Sequence, residues 1–227
     1  MGAQNNQPKM TINKLGEYLV ASPRRKRSIL ETLKYPKEDG GQWGHVHSEA
    51  RNAIKRYFVS GFDKKYITKC IASLKSKSGT KDEKNYHASS ILLLETILKS
   101  ENIDFDAYDY EPYNVKNAYL DIEGVKINVY PDLLVKSTSR GKNYIGALKL
   151  HLVKNSEIND EAGRYIATIL NRYADGFILT DRKIRTNHNI SYDVISDRFI
   201  ECPGSVKNRW KNIEAECKNI VAIWGSI

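Results

Sequence analysis

The chain has 227 residues, 41% hydrophobic and 28% charged, with 14 Tyr and 3 Trp. That is enough apolar material for one domain, or a core with an appendage, and too much for wholesale disorder. No run approaches the ~18 apolar residues of a membrane span, and the opening MGAQNNQPKM lacks the basic-then-apolar design of a secretory signal.

Cys70, Cys202 and Cys217 are odd in number and widely spaced, which argues against a disulfide framework and against a cysteine zinc site. Gly2 is followed by Asn6 where a myristoylation motif needs Ser or Thr. A soluble, cytoplasmic protein without membrane partners is expected. The formal net charge of +9 is concentrated at one end. Residues 1–80 carry 16 Lys and Arg against 6 Asp and Glu, and the remaining 147 residues carry 20 against 21. Such an asymmetry favours a polyanionic partner, because each Lys or Arg set against a phosphate releases condensed counterions.

In chain order, Leu15, Tyr18 and Leu19 mark a first helix. Ser22-Pro23 then reads as an N-cap and first-turn proline for a second, running to about Leu33. Arg24, Arg25, Lys26 and Arg27 crowd the opening turn of that second helix. Cations there oppose the helix dipole, so an external phosphate would relieve them, and they are the candidate nucleic-acid contacts. The pair resembles a helix-turn-helix only loosely. After a glycine-containing loop over residues 38–47, SEARNAIKRYFVSG and KKYITKCIASLKSK predict two more helices. His45 and His47 in that loop lack a Cys or carboxylate partner nearby and read as polar surface. The unpatterned SKSGTKDEKN places a boundary between a basic helical region, 1–80, and a core, 81–227.

Beyond it, YHASSILLLETILKS predicts an apolar helix over 86–100. NVKNAYLDIEG and VKINVYPDLLVK predict strands joined by a tight turn at Glu123-Gly124, and NYIGALKLHLV a third strand. An amphipathic helix over NDEAGRYIATILNRY, a short buried strand at DGFILT, a further strand at YDVISDRFIECP and a closing helix over SVKNRWKNIEAECKNIVAIW follow. The fold class expected is α/β, a central mixed sheet flanked by helices.

Pro131-Asp132 at the end of the second strand, and Lys149 in the third, give the α-β-β-β-α-β segment over residues 86–180 its chemistry. With fourteen residues between Asp132 and Ala147-Leu148-Lys149, it resembles the PD-(D/E)xK nuclease superfamily, and its restriction-endonuclease-like core. Glu161 and Tyr165, four apart on the next helix, are similar to the Q-x-x-x-Y element of the RecB-like and Cas4-like branches, with Glu in place of Gln. Glu95, among Leu92, Leu93, Leu94, Ile97 and Leu98, stands where many members carry a further acid. A carboxylate there is either partly buried beside a partner or on the solvent stripe. Alternation puts Ala147, Lys149 and His151 on one face of the third strand.

The resemblance implies a DNA nuclease that uses Mg²⁺ or Mn²⁺. Asp132 and Glu95 would be metal ligands, Lys149 the water-positioning cation, Glu161 an auxiliary acid and Tyr165 a site-shaping hydroxyl. Such an enzyme fits phage defence, recombination or DNA repair by analogy of fold alone. Ala147 departs from the motif, which needs a carboxylate there. Three explanations stand. The site is degenerate and the fold serves binding; or the acid has migrated to Glu95, Glu161 or Asp121; or the alanine replaces a native Asp or Glu. A rival of another class is a non-enzymatic subunit that uses a nuclease-like scaffold to bind a protein partner.

Overall fold

The architecture rests on two sheets that share a helical packing. The computed structural model describes residues 5–36, 47–101, 107–115, 117–153 and 158–227. Helices α1 (Ile12–Val20) and α2 (Pro23–Lys34) follow a short strand, β1 (Lys9–Thr11), and α3 (Ser48–Val59), α4 (Lys65–Ser76) and α5 (Lys81–Lys99) come next. Ser22 caps α2 as its sequence predicts, its hydroxyl accepting from the Arg25 N–H, with Pro23 in the first turn.

The larger sheet runs β2 (Asp109–Pro112), β5 (Leu133–Ser139), β6 (Lys142–His151), β8 (Ile190–Asp193) and β9 (Arg198–Glu201), with β7 (Lys183–Ile184) also beside β6. Pairing is antiparallel from β2 through β6, parallel between β6 and β8, and antiparallel again to β9. Helix α6 (Asp160–Phe177) makes the crossover that the parallel pair requires. A smaller sheet, β1-β4-β3, joins β3 (Tyr119–Ile122) and β4 (Val125–Asn128) to the N-terminal strand. Its hairpin turns at Glu123 and Gly124, both at positive φ, the geometry that Gly accommodates without strain.

The large sheet buries both faces. On one, Leu133, Val135, Leu148, Leu150 and Tyr192 meet Ile54, Tyr57, Phe58, Ile67, Leu93 and Leu94 of α3, α4 and α5. On the other, Ala147 meets Ile166, Ile169 and Leu170 of α6 and joins Leu15, Ile127 and residues of α7 (Lys207–Trp224). Residues 1–80 therefore contribute to both cores, and the division expected at residue 80 is not a division of the packing.

Three expectations need correction. Residues 125–136 are not one strand: Tyr130 takes φ 37° ahead of Pro131, so the chain leaves the small sheet after β4 and enters the large one as β5. Asp132 thus precedes a strand instead of ending one. DGFILT is not a buried strand. Helix α6 continues to Phe177, Leu179 is 98% exposed, and β8 takes the place parallel to β6. The KDEKN stretch is helical, because Thr80 and Glu83 form a reciprocal capping box that starts α5 at Lys81. Among the described residues no helix is long and apolar enough to cross a membrane.

Candidate functional site

The β5–β6 register pairs Leu133 with Leu148, which sets Asp132 beside Lys149 across the hairpin. The Asp132 N–H donates to the Leu148 carbonyl at 2.8 Å, and the Leu150 N–H donates to Asp132 Oδ2 at 2.9 Å. Lys149 Nζ lies 3.2 Å from the same oxygen and donates to the Tyr130 carbonyl at 2.5 Å. The left-handed backbone of Tyr130 is an uncommon conformation for a bulky residue, and it sits where its carbonyl meets this ammonium.

From the other side Arg51, on the first turn of α3, places Nη1 2.6 Å from Asp132 Oδ1. The side chains of Asp132 and Lys149 are 6% and 12% exposed, and that of Arg51 33%. A buried carboxylate is costly unless paired, and this one has two cations and a backbone donor. Burial alone would raise its pKa; Lys149 and Arg51 outweigh that and hold it below the ordinary carboxylate range. Burial pushes Lys149 down, against the upward pull of Asp132 and with the help of Arg51 and Lys55.

A cavity of about 510 Å³ opens above this group, lined by Asn13, Lys14 and Glu17 of α1, His47 and Arg51, and Lys149 and His151 of β6. Glu17 accepts from Lys14 at 2.6 Å and from Arg25 at 2.5 Å. Burial works to raise its pKa, but these two cations prevail and lower it. The Asn13 amide donates to the Leu150 carbonyl at 3.2 Å. Its buried Oδ1 accepts no hydrogen bond among the described residues. His47 contacts Ser90 Oγ at 2.8 Å through Nδ1, and burial together with Arg51 lowers its pKa, keeping it neutral at pH 7. Lys14, Arg51 and Lys149, one carboxylate, Glu17, and two imidazoles, His47 and His151, thus line one cavity beside the buried Asp132, a composition suited to holding an anion.

No protein-family model matches the chain, and no curated protein sequence does.

Of the residues singled out in the sequence, the structure brings Asp132 and Lys149 together and seats His151 in the same cavity. Glu95 is elsewhere: it faces solvent on α5, 3.9 Å from Lys75 of α4. Glu161 is held by Arg209 of α7 at 3.0 Å, and the Tyr165 ring lies under the same guanidinium, 5.4 Å from its centre. These two serve the α6–α7 contact, because the first turn of α6 leans on α7 instead of on β5. Asp121 accepts from the Gly124 N–H in the β3–β4 turn. His45 lies outside the described residues.

The basic turn of α2 is also largely engaged. Arg25 pairs with Glu17, Lys26 with Glu216 at 2.9 Å, and Arg27 with Glu31 at 2.9 Å; Arg24 is exposed, with no ion pair among the described residues. Repulsion in this turn is thus relieved from within the chain.

The donor set does not fit the divalent metal that the family resemblance implies. Ala147 supplies no oxygen and packs in the apolar core. Both Asp132 oxygens are taken by cations and a backbone N–H, and Glu17 is held by two cations. Among the described residues no three His, Cys, Asp or Glu side chains gather closely enough to hold an ion. Mg²⁺ wants several unencumbered oxygens in octahedral array.

Arg51, Lys14 and Glu17 were not legible as site residues. Arg51 borders the buried stripe of α3 formed by Ala50, Ala53 and Ile54, as basic residues commonly do, and its partner lies 81 residues away.

Proposed function

We propose that this chain is a nucleic-acid-binding protein built on a PD-(D/E)xK-like core, in which cations on Asp132 stand where an active nuclease holds its metal. The cavity then receives phosphate without metal-assisted hydrolysis. The observation that carries this reading is the Arg51–Asp132–Lys149 arrangement: the motif's aspartate and lysine meet at 3.2 Å, while a guanidinium fills the coordination sphere of the aspartate. The succession α5, β2, β5, β6, α6, β8, with an antiparallel meander followed by a parallel partner, supports the restriction-endonuclease-like relationship. The cationic first third of the chain supports a polyanionic ligand, DNA in the first instance.

The decisive experiment incubates the protein with labelled single- and double-stranded DNA and RNA, in Mg²⁺, in Mn²⁺ or in EDTA, over a range of salt. Binding that persists in EDTA, weakens with salt and produces no cleavage is the expected result. Metal-dependent cutting abolished by Asp132→Ala would instead make the protein a working nuclease. Absence of binding to every nucleic acid would leave the fold as a scaffold for a protein partner.

A further inference from the structure

Helix α3 buries Ala50, Ala53, Ile54, Tyr57 and Phe58 and turns Arg51, Asn52, Lys55, Arg56 and Val59 the other way. Arg51 begins this outer stripe at the rim of the Asp132 cavity. Along the rest of it Asn52, Lys55 and Arg56, with Tyr66 and Asn114, line a second cavity of about 680 Å³. Arg51 lines the first cavity, while Asn52, next to it in the chain, and Lys55, one helical turn on, line the second, so α3 carries basic and polar side chains from one cavity to the other. Neither Lys55 nor Arg56 makes an ion pair among the described residues. That sets them apart from Arg25, Lys26 and Arg27 of α2, each of which has a carboxylate within 3 Å.

We propose that the outer stripe of α3, from Arg51 to Tyr66 of the adjoining helix, is the track for a nucleic-acid backbone entering the Asp132 cavity. This rests on the nucleic-acid-binding reading above and moves the contact surface from α2, where sequence placed it, to α3. At ~1.5 Å rise per residue, the eight steps from Arg51 to Val59 cover about 12 Å. Successive phosphates of one strand lie farther apart through space than their ~3.4 Å axial rise, so that length takes about two or three of them. Lys55 and Arg56 supply the charge, Asn52 and Asn114 neutral donors, and the half-buried Tyr66 ring a face on which a base stacks.

The test compares the full chain with Lys55→Ala/Arg56→Ala, using a short labelled single strand and its duplex titrated from low to high salt. Each lost phosphate contact should lower the slope of log K against log salt by about 0.7–0.9, so the double variant should lose about 1.4–1.8. Affinity near 0.15 M salt should then fall by about 10–30-fold. Arg24→Ala/Arg27→Ala should change little, Lys55→Arg/Arg56→Lys should retain the slope, and unaltered thermal unfolding checks that each variant is folded. If the wild type binds and the α3 variant binds equally well, or if the α2 variant carries the loss, the track is wrong while the nucleic-acid reading stands. If the wild type binds neither probe, whether made as DNA or as RNA, both fall.

Discussion

Replacing Asp132 with Asn is the sharpest perturbation of the site, because it removes one charge and keeps the shape. The wild-type carboxylate accepts from Arg51, Lys149 and the Leu150 N–H. The amide keeps one oxygen and turns an NH₂ toward donors it cannot satisfy. Arg51 is a third exposed, so water absorbs part of its loss; Lys149 and Leu150 lie inside, with no such relief. Removing one member of a buried pair costs ~3–5 kcal/mol. Discounting the Arg51 share puts Asp132→Asn at about 3 kcal/mol, or about 6–12 °C in Tm for a chain of this size.

The pH dependence has a definite sign. The folded pKa of Asp132 is depressed below 3.8, so its contribution is complete above the unfolded value, ~3.9, and is lost as pH falls through the folded one. Urea unfolding of both proteins from pH 7 downward should show a gap that holds to about pH 4 and narrows below it. A gap under ~1 kcal/mol at pH 7, or one unchanged at pH 3, would refute the ion-pair account.

Three more predictions concern the frame around the site. Lys34 is buried and donates to the Trp224 and Ile227 carbonyls at 2.6 and 3.1 Å, so Lys34→Met should cost about 2 kcal/mol and loosen the end of α7, measurable by denaturation and amide exchange. A Cβ on Gly146 would meet the His188 carbonyl oxygen at 2.4 Å, a backbone atom, so Gly146→Ala should cost about 3 kcal/mol or more; a neutral result by urea titration would show that the turn at 186–188 yields. His188, 2% exposed, contacts Ser137 Oγ at 2.7 Å through Nε2, and burial followed by the charge of Arg185 lowers its pKa to about 4. The unfolded imidazole binds its proton first as pH falls, so stability should decline between about pH 6.5 and 4, by on the order of 3 kcal/mol at most, and NMR titration of the ring should show the low midpoint.

Periodicity and caps located most of the elements. Ser22-Pro23 opens α2, Leu148, Leu150 and Leu152 face away from Lys149, and Glu123-Gly124 turns a hairpin, all from local rules. What stayed hidden is non-local. In the strand-like run from Val125 to Lys136, Pro131 marks an interruption, but nothing local tells that Tyr130 bends the chain from one sheet to another, since a non-glycine residue at positive φ is held by tertiary contacts. Glu95 and Glu161 sit at spacings that fit a nuclease motif, yet their partners Lys75 and Arg209 are brought by packing that spacing does not encode. Asp132 and Lys149 were legible because a hairpin register joins them; Arg51 was not, because a helix from another part of the chain delivers it.

The way the opening segments lean on distant partners shapes how the protein is made. Gly16 of α1 rests against Ile166 and Ala162 of α6, and β1 pairs with β4 more than a hundred residues later. At ~5–20 residues per second, the ribosome needs about 7–30 s to supply α6 after α1 has emerged. Through that interval Leu15 and Tyr18 have only the apolar side of α2, Ile29 and Leu30, to shelter them, so the nascent chain presents sticky surface to chaperones and to its neighbours. Rapid dilution from denaturant, with the whole sequence present at once, should avoid this hazard, and synthesis should be the more aggregation-prone route.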